Sequence, residues 1–170
     1  MPDRNPNLRI GNATEADIPT IIEIAYATWP VAYGEILSAE QLDYMLRLFY
    51  SASSLQKNML DGQRFLLVQA NNTVVGFSAY EATPATRTTH INKIYVLPQF
   101  HGCGAGKKLM QEMEQQAISE GSHYITLNVN RSNPAQRFYN RLGFQIAKEV
   151  DIELEHGYLM EDYLMQKELR

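Results

Sequence analysis

The sequence predicts an α/β or α+β fold, because segments with helical periodicity and segments with strand character follow one another along its 170 residues. Helical spacing of apolar residues dominates up to residue 60, and short apolar runs bounded by turn residues follow. The chain is 45% hydrophobic and 20% charged, which is typical of a globular protein and excludes a disordered or collagen-like chain. With no linker or repeat, this length predicts a single domain over residues 1–170.

Capping residues and apolar spacing predict the elements of the amino-terminal part. Residues 1–7 are expected to form a loose tail, followed by a short strand at residues 8–10. A capping box of Thr14 and Asp17 predicts a helix start, and Pro30 is expected to end that helix. Two further helices are predicted, one after Ser38 and one over residues 54–60.

Strands and helices alternate in the rest of the chain. Asn71 and Asn72 predict a turn between two strands, and Pro98 closes a third strand. Residues 82–89, rich in Thr, Ala and Pro, are expected to form a loop. Asn133 precedes a proline, a combination that favours a helix start. The predicted strands cover residues 65–68, 74–80, 91–97, 124–129, 144–154 and 163–169, the last two paired, and the predicted helices cover residues 104–120 and 135–142.

Charge and cysteine content limit the function classes. A net charge of −4 and a pI of about 5.6 argue against nucleic acid as the main partner. No apolar run is long enough to cross a bilayer and the amino terminus lacks a signal peptide core, so no membrane partner and a cytoplasmic location are expected. Cys103 has no partner for an internal disulfide, which fits a reducing compartment. The four histidines lack zinc-site spacing, so no metal is expected.

A cluster of glycines predicts a site for a phosphate group. Four of the ten glycines, Gly102, Gly104, Gly106 and Gly121, lie within twenty residues, three of them between a predicted strand and a predicted helix. Glycines let backbone N–H groups converge, the helix amino terminus adds partial positive charge, and Lys107 adds a full one. The spacing matches neither the Walker A loop, which needs a glycine five positions before Gly106, nor the dinucleotide pattern G-x-G-x-x-G.

The loop and a second segment together carry a family resemblance. Residues 101–106 read His-Gly-Cys-Gly-Ala-Gly, and residues 133–144 read Asn-Pro-Ala-Gln-Arg-Phe-Tyr-Asn-Arg-Leu-Gly-Phe. This pair closely resembles the GCN5-related N-acetyltransferases (GNAT), with His101 in place of the usual Gln or Arg of the pyrophosphate loop. The resemblance covers residues 8–169 and implies a mixed, mostly antiparallel central sheet with splayed central strands, flanked by helices.

The resemblance implies acetyl-CoA as a cosubstrate. The loop amides would hold its pyrophosphate, the strand before the loop would pair with its pantetheine arm, and the Val96 N–H would polarise the thioester carbonyl. Asn133 matches a position that contacts the arm, although it also suits a helix cap. The ring of His101 is expected to be a spectator. The implied cofactor-binding residues are Ile94, Tyr95, Val96, His101, Gly102, Cys103, Gly104, Ala105, Gly106, Lys107, Asn133 and Tyr139.

Tyr139 matches the family tyrosine that protonates the CoA thiolate. A phenol with a pKa of about 10 holds its proton at neutral pH and can give it to a sulfur anion. Packing between Phe138 and Phe144 is the alternative role for this ring. Cys103 stands near a helix amino terminus, where a thiol can become a nucleophile, but a small residue that contributes only its backbone is the favoured interpretation.

The general base stays open among three candidates. His90 lies where some family members place a catalytic glutamate, Glu81 ends the preceding strand, and a chain of water molecules is the third candidate. Strict strand alternation places His90 and Asn92 on the same face as Ile94 and Val96. A solvated histidine at a strand start is the competing interpretation of His90.

The acceptor side is expected to be aromatic. The family lines its acceptor site with the first helices, and here that region carries Tyr26, Trp29 and Tyr33 as the candidate substrate-binding residues. Six acidic residues near the carboxyl end are expected to form a solvated strand face, with recognition of a cationic acceptor as the alternative. They are Glu149, Asp151, Glu153, Glu155, Glu161 and Asp162.

The predicted function is transfer of the acetyl group of acetyl-CoA to a primary amine of a small molecule, for example a polyamine-like one, or of a peptide. The predicted mechanism is direct attack in a ternary complex with Tyr139 as general acid. The alternative is a non-catalytic CoA-binding sensor or partner-binding module, and a nucleotide-binding domain is a third hypothesis. Whether the chain forms a homodimer is left open.

Overall fold

A computed structural model describes residues 4–170 of the chain, in which one sheet is flanked by helices. The strands are β1 (Leu8–Asn12), β2 (Arg64–Ala70), β3 (Thr73–Thr83), β4 (Thr88–Val96), β5 (Tyr124–Asn130), β6 (Gln145–Glu153) and β7 (Leu159–Glu168). The helices are α1 (Ile18–Tyr33), α2 (Ala39–Phe49), α3 (Ala52–Leu60), α4 (Ala105–Ser119) and α5 (Gln136–Arg141). Residues 1–3 of the predicted loose tail lie outside the described residues. The last residue of that predicted tail, Asn7, is held to the β2–β3 turn, because its N–H donates to Asn71 Oδ1 at 2.9 Å.

The strands form one sheet in the order β1-β2-β3-β4-β5-β7-β6. Every neighbouring pair is antiparallel except β4 and β5, which are parallel. These two strands pair only from Thr88 opposite Tyr124 to Ile91 opposite Leu127, although both continue beyond that point. The predicted mixed, mostly antiparallel sheet with splayed central strands is therefore confirmed.

Helices cover both faces of the sheet because each face carries its own apolar cluster. On one face, α4 buries Leu109, Met110 and Met113 against the sheet, since these residues recur at helical spacing. On the other face, α1 and α3 bury Ile21 and Leu55. No helix within residues 4–170 is long and apolar enough to cross a bilayer.

Two predicted boundaries of the first helix are wrong. Thr14 caps a 3₁₀ turn, Glu15–Asp17, through the predicted capping box, and α1 begins only at Ile18. Pro30 lies inside α1, which continues to Tyr33. Proline removes the N–H that would bond the carbonyl four residues earlier, here that of Tyr26. Tyr26 is 42% exposed, so its carbonyl group lies on the solvent side of the helix, where water can replace the lost donor.

The loop predicted over residues 82–89 is also wrong in its extent, because strands occupy half of it. β3 continues to Thr83 and β4 starts at Thr88, with only a 3₁₀ turn, Pro84–Thr86, and Arg87 between them. Thr83 pairs with Thr88, since β-branched residues fit a pleated sheet surface. The predicted Asn71-Asn72 turn is confirmed, with both residues at positive φ.

A β-bulge in β4 overturns the predicted alternation around His90. Ala79 of β3 pairs with Lys93 and Tyr80 pairs with Ile91, which leaves Asn92 without a partner in the register. As a result Ile91 and Ile94 both reach the α4 side of the sheet, although three positions separate them. His90 therefore lies on the opposite face from Ile94 and Val96, on the side of α1 and α3.

Candidate active site

Two cavities meet where β4 and β5 separate. The loop-side cavity, about 670 Å³, is lined by the glycine loop, by residues 94–96 of β4 and by α5. The helix-side cavity, about 510 Å³, is lined by α1, α2, α3, β4 and β7. The residues that line both are Tyr33, Ile91, Asn92, Lys93, Tyr95 and Asn128. Two separate ligands could therefore meet in the gap between the two strands.

The glycine loop forms the wall of the loop-side cavity at the amino terminus of α4. Gly102 and Gly104 have φ values of 81° and 90°, in the left-handed region that favours glycine. A Cβ atom on Gly106 would lie 3.4 Å from the Phe138 ring, so glycine also allows α4 and α5 to approach closely. Cys103 does not line the cavity and instead packs against the core on the α4 side. The loop residues that line the cavity are His101, Gly102, Gly104, Ala105, Gly106 and Lys107.

The edge of β4 is open towards this cavity beyond the bulge. The N–H of Leu97 donates to Val75 O at 2.8 Å, so the backbone groups of Leu97 face β3. Because successive residues of a strand point their backbone groups to opposite sides, those of Val96 and Ile94 face the gap towards β5. In this structure the Val96 carbonyl accepts a hydrogen bond from His101 Nε2 at 2.8 Å. The ring of His101 is therefore not the expected spectator.

Tyr139 lines the loop-side cavity from α5 and is 9% exposed. Its ring contacts those of Phe138 and Phe144, with centroid distances of 5.5 and 6.2 Å. Packing and cavity lining thus occur together. Burial raises the pKa of its hydroxyl above the ordinary value of a phenol, and the neighbouring Tyr33 adds to the effect. The hydroxyl consequently keeps its proton at neutral pH.

Asn133 was predicted either to cap a helix or to contact the cofactor arm, and its position is compatible with both roles. Its Oδ1 accepts the N–H of Ala135 at 2.9 Å, a local bond that organises the turn before α5. It also lines the loop-side cavity. The helix itself begins at Gln136, one residue later than predicted.

Aromatic rings form much of the helix-side cavity. Trp29 is buried and lies 4.7 Å from the Tyr33 ring and 6.0 Å from the Tyr95 ring, measured between centroids. The hydroxyls of Tyr33 and Tyr95 are 2.9 Å apart, which ties α1 to β4 at the junction of the two cavities. Of the three predicted substrate-binding residues, Trp29 and Tyr33 line this cavity, whereas the exposed Tyr26 lines neither.

The structure separates the two side chains considered as bases. His90 lines the helix-side cavity, and its Nδ1 lies 2.7 Å from Thr126 Oγ1. Burial lowers the pKa of His90 below its ordinary value, while the nearby charge of Glu81 acts in the opposite direction. Glu81 lies opposite His90 in the sheet, accepts a hydrogen bond from Asn92 Nδ2 at 3.1 Å and lines neither cavity.

Asp162 is a cavity residue that the sequence analysis placed on a solvated face. It lies in β7, between β5 and β6, and is only 4% exposed. Burial raises the pKa of its carboxyl group, against the opposing effects of Asn128 and Arg131. A signal was present, because the adjacent acids Glu161 and Asp162 must point to opposite faces of a strand. One of the two therefore had to face the protein.

Lys93 is the second residue that the sequence analysis missed. It lines the helix-side cavity, and its Nζ donates to Asn58 Oδ1 at 3.1 Å and to Gln63 Oε1 at 3.2 Å. Burial lowers its pKa to about 8. A lysine between Asn92 and Ile94, within the predicted strand, was the available signal. Among residues 4–170, no group of three His, Cys, Asp or Glu side chains could hold a metal ion.

Comparison with known proteins assigns this architecture to a family. The model of the acetyltransferase (GNAT) family matches residues 18–144, three quarters of the chain. The chain belongs to the GNAT family. This GNAT protein is accordingly an enzyme of the acetyltransferase class, which confirms the resemblance inferred from the loop and from residues 133–144.

Relatives and a solved structure cover nearly the whole chain. An uncharacterised N-acetyltransferase of Mycobacterium tuberculosis is 29% identical over 158 residues, 92% of this chain and 99% of that protein. The spermidine N(1)-acetyltransferase of Thermoplasma acidophilum is 27% identical over 146 residues, 82% of this chain and 89% of that protein. The crystal structure of the PaiA N-acetyltransferase of Thermoplasma acidophilum in complex with coenzyme A has a similar fold, with a TM-score of 0.79, 24% identity and coverage of 95% of this chain and 99% of that one.

Proposed function

We propose that this enzyme transfers the acetyl group of acetyl-CoA to a primary amine, carried by a small molecule or a peptide, by direct attack in a ternary complex. The observation that carries the proposal is the meeting of two cavities at the gap between β4 and β5. One cavity has the anion-binding loop and the other has aromatic and polar side chains, so cosubstrate and acceptor can occupy them together.

The loop-side cavity fits coenzyme A in its chemistry. The amides of the glycine loop and Lys107 offer donors and positive charge for a pyrophosphate at the amino terminus of α4. The backbone groups of Ile94 face the gap and can pair with an amide of the pantetheine arm, with Asn133 beside them. The cavity volume of about 670 Å³ lies in the range of small-molecule sites. When bound, acetyl-CoA supplies the activated thioester.

Residues at the junction assist each bond change. A neutral amine forms the N–C bond, the C–S bond breaks, and the Val96 N–H stabilises the negative charge that develops on the carbonyl oxygen. Tyr139 then donates its phenolic proton to the departing sulfur, and the proton that the acetylated nitrogen loses passes through water to restore the Tyr139 hydroxyl. The raised pKa of Tyr139 keeps that proton on the hydroxyl until the thiolate forms.

His90 is the proposed base, acting through water. It lines the cavity assigned to the amine, whereas Glu81 lines neither cavity. Its lowered pKa leaves the ring neutral at pH 7, and in the tautomer that donates Nδ1–H to Thr126 the Nε2 atom is an acceptor. A small amine as acceptor is supported by the similarity to the spermidine N(1)-acetyltransferase, which extends over most of both chains.

Substitution of Tyr139 tests the proposal. Tyr139→Phe keeps the ring packing and removes the proton donor, so kcat is expected to fall about 100-fold. The dissociation constant for coenzyme A is expected to stay within about twofold, because the hydroxyl is assigned to the reaction and not to binding. Thiol release from acetyl-CoA with a panel of amines, corrected for release without amine, measures the rate.

Two comparisons complete this experiment. Tyr124→Phe, which removes the hydroxyl of a half-exposed tyrosine that lines neither cavity, should leave kcat unchanged. His90→Gln should lower kcat more than Glu81→Gln does. Equal rates for Tyr139→Phe and the unmodified protein would refute the acid role. Coenzyme A binding without thiol release on any amine would instead support a non-catalytic CoA-binding module.

A further inference from the structure

The helix-side cavity contains a lysine whose charge has no carboxylate partner among residues 4–170. The stem of Lys93 runs between rings, with Nζ 6.0 Å from the Tyr50 centroid and 5.6 Å from the Phe65 centroid. Its two side-chain hydrogen bonds go to the amide oxygens of Asn58 and Gln63, which are neutral. An ammonium has three donors, so one remains for a ligand in the cavity.

The nearby charged groups do not neutralise Lys93. Glu81 raises its pKa from a distance, but that carboxylate forms no ion pair with Lys93 and accepts a bond from Asn92. Lys57 also lines this end of the cavity, but its charge is compensated by Asp61 at 2.5 Å. The uncompensated positive charge at the α3 end of the cavity is therefore that of Lys93.

The opposite charge lies across the gap. Asp162 reaches the same cavity from β7, beside Asn128 of β5, whereas Lys93 reaches it from β4 and α3. β4 and β5 separate between these two positions. A ligand in the cavity thus has a carboxylate on one side and an ammonium on the other, an arrangement that complements a zwitterion.

We propose that Lys93 binds a carboxylate carried by the acceptor, so that the preferred acceptor is an amine that also bears a carboxylate. This inference rests on the proposed acetyl transfer. An incoming carboxylate would complete the hydrogen bonds of a lysine that has lost most of its water. The cavity volume of about 510 Å³ lies in the range of small-molecule sites.

A polyamine is a poorer fit to the same lining. Its second ammonium would approach Lys93 at the α3 end, and like charges in a partly dehydrated site repel each other. Asp162 can accept only the cationic group on its own side of the gap. The charge distribution therefore favours an amine with an anionic group over one with additional amines.

The test compares matched amines on matched variants. Leucine, leucinamide and 3-methylbutylamine form one set, and phenylalanine, phenylalaninamide and phenethylamine form a second. Within each set the carboxylate is present, capped or absent, and spermidine is added as a polycation. Lys93→Met removes the charge and keeps most of the stem, Lys93→Arg keeps the charge, and Lys148→Met makes the same charge change on the exposed strand β6.

The readout is kcat/KM for thiol release, expressed as the ratio of variant to unmodified enzyme. The fraction of each amine that is unprotonated at the assay pH is the same for both enzymes, so it cancels in that ratio. Lys93→Met should lower kcat/KM for the carboxylate-bearing amines about tenfold or more, through KM, and change it less than about twofold for the others. Lys93→Arg should retain most of the preference, and Lys148→Met should leave all ratios near one.

The outcomes separate this inference from the proposed function. Equal losses on amines with and without a carboxylate would show that Lys93 only ties α3 to the sheet, and preferred transfer to spermidine would overturn the inference as well. In both cases acetyl transfer itself stands. Absence of transfer to every amine would refute the proposed function and this assignment together.

Discussion

Asp162 holds a carboxylate in a place from which water is largely excluded. Its pKa is raised by burial even though Asn128 and Arg131 favour the charged form, so the charge is only partly compensated. A partly compensated buried charge costs folding free energy. Residues that destabilise a fold while lining a cavity are typical of binding sites, where stability is traded for activity.

Asp162→Asn should therefore stabilise the protein at neutral pH, by about 1 kcal/mol. The pKa is higher in the folded state than its ordinary value of 3.8, so the unfolded chain loses its proton first as pH rises. The cost of the carboxylate thus appears above pH 4 and is complete above the folded-state pKa. Urea denaturation at pH 7 and below pH 4 should show a gain that disappears in acid.

Asp43→Asn is the matched control for this stability measurement. Asp43 is exposed and pairs with Arg47 at 2.8 Å on the surface of α2, where ion pairs contribute little. It should change the free energy of unfolding by less than about 0.5 kcal/mol. A lower stability of Asp162→Asn at pH 7 would contradict the account of Asp162.

Among the elements, the loop before α4 depends on backbone conformations that only glycine adopts easily. Gly104 caps the helix at a φ of 90°, and this orients the following amides towards the loop-side cavity. The nearest atom to a Cβ at this position is Leu8 Cδ1, at 3.8 Å, an ordinary contact. Alanine here would strain the backbone without a steric clash, so the substitution isolates the conformational effect.

Gly104→Ala should destabilise the fold by about 1 kcal/mol and weaken coenzyme A binding, because the amides turn away from their common focus. Denaturant midpoints and calorimetric titration with coenzyme A measure the two effects. Gly11→Ala is the control, since Gly11 has no atom within 4 Å of the added Cβ and no positive φ. Unchanged coenzyme A affinity in Gly104→Ala would exclude the loop amides as the pyrophosphate site.

The bulge in β4 is the second element that determines the site. The extra residue, Asn92, shifts the alternation of the strand, so that His90 and Lys93 reach the helix-side cavity while Ile91 and Ile94 fill the core. The periodicity of the sequence predicted the strand correctly, but alternation without a bulge assigned His90 to the wrong face. A bulge depends on pairing with β3, which no local pattern contains.

For the whole molecule, the decisive feature is that the loop-side and helix-side cavities open onto one gap. The proposed direct transfer requires both substrates at the same time, which the junction at Tyr33 and Tyr95 permits. A covalent route through a thiol would need a cysteine at the junction. Cys103, the chain's only cysteine, packs against the core and lines neither cavity.

Initial rates should therefore show intersecting double-reciprocal lines when acetyl-CoA and the amine are varied. The intact mass of the protein should stay unchanged after incubation with acetyl-CoA alone, and Cys103→Ala should keep kcat within about twofold. Parallel lines together with an acetylated protein would instead establish a covalent intermediate.

Local patterns in the sequence were sufficient for most of the framework. The alternation of helical and strand segments predicted the fold class, and the family followed from the resemblance of the glycine loop and of the segment that contains Tyr139, each of which is one continuous run of residues. The predicted element boundaries were wrong where contacts with residues distant in the sequence, or exposure to solvent, decide the local structure. Pro30 remains helical because it and Tyr26 lie on the exposed side of α1. Both ends of the segment 82–89 form strands because threonines pair across β3 and β4.

The sequence by itself determined the family and the cofactor-side motif, because those features are runs of adjacent residues whose geometry follows from their own backbone. Only the tertiary structure decided the helix-side cavity. His90 and Lys93 in β4 precede Asp162 in β7 by 72 and 69 positions of the sequence. Sheet pairing, the bulge and the separation of β4 from β5 bring them to one cavity, and such contacts form between distant segments that no local periodicity encodes.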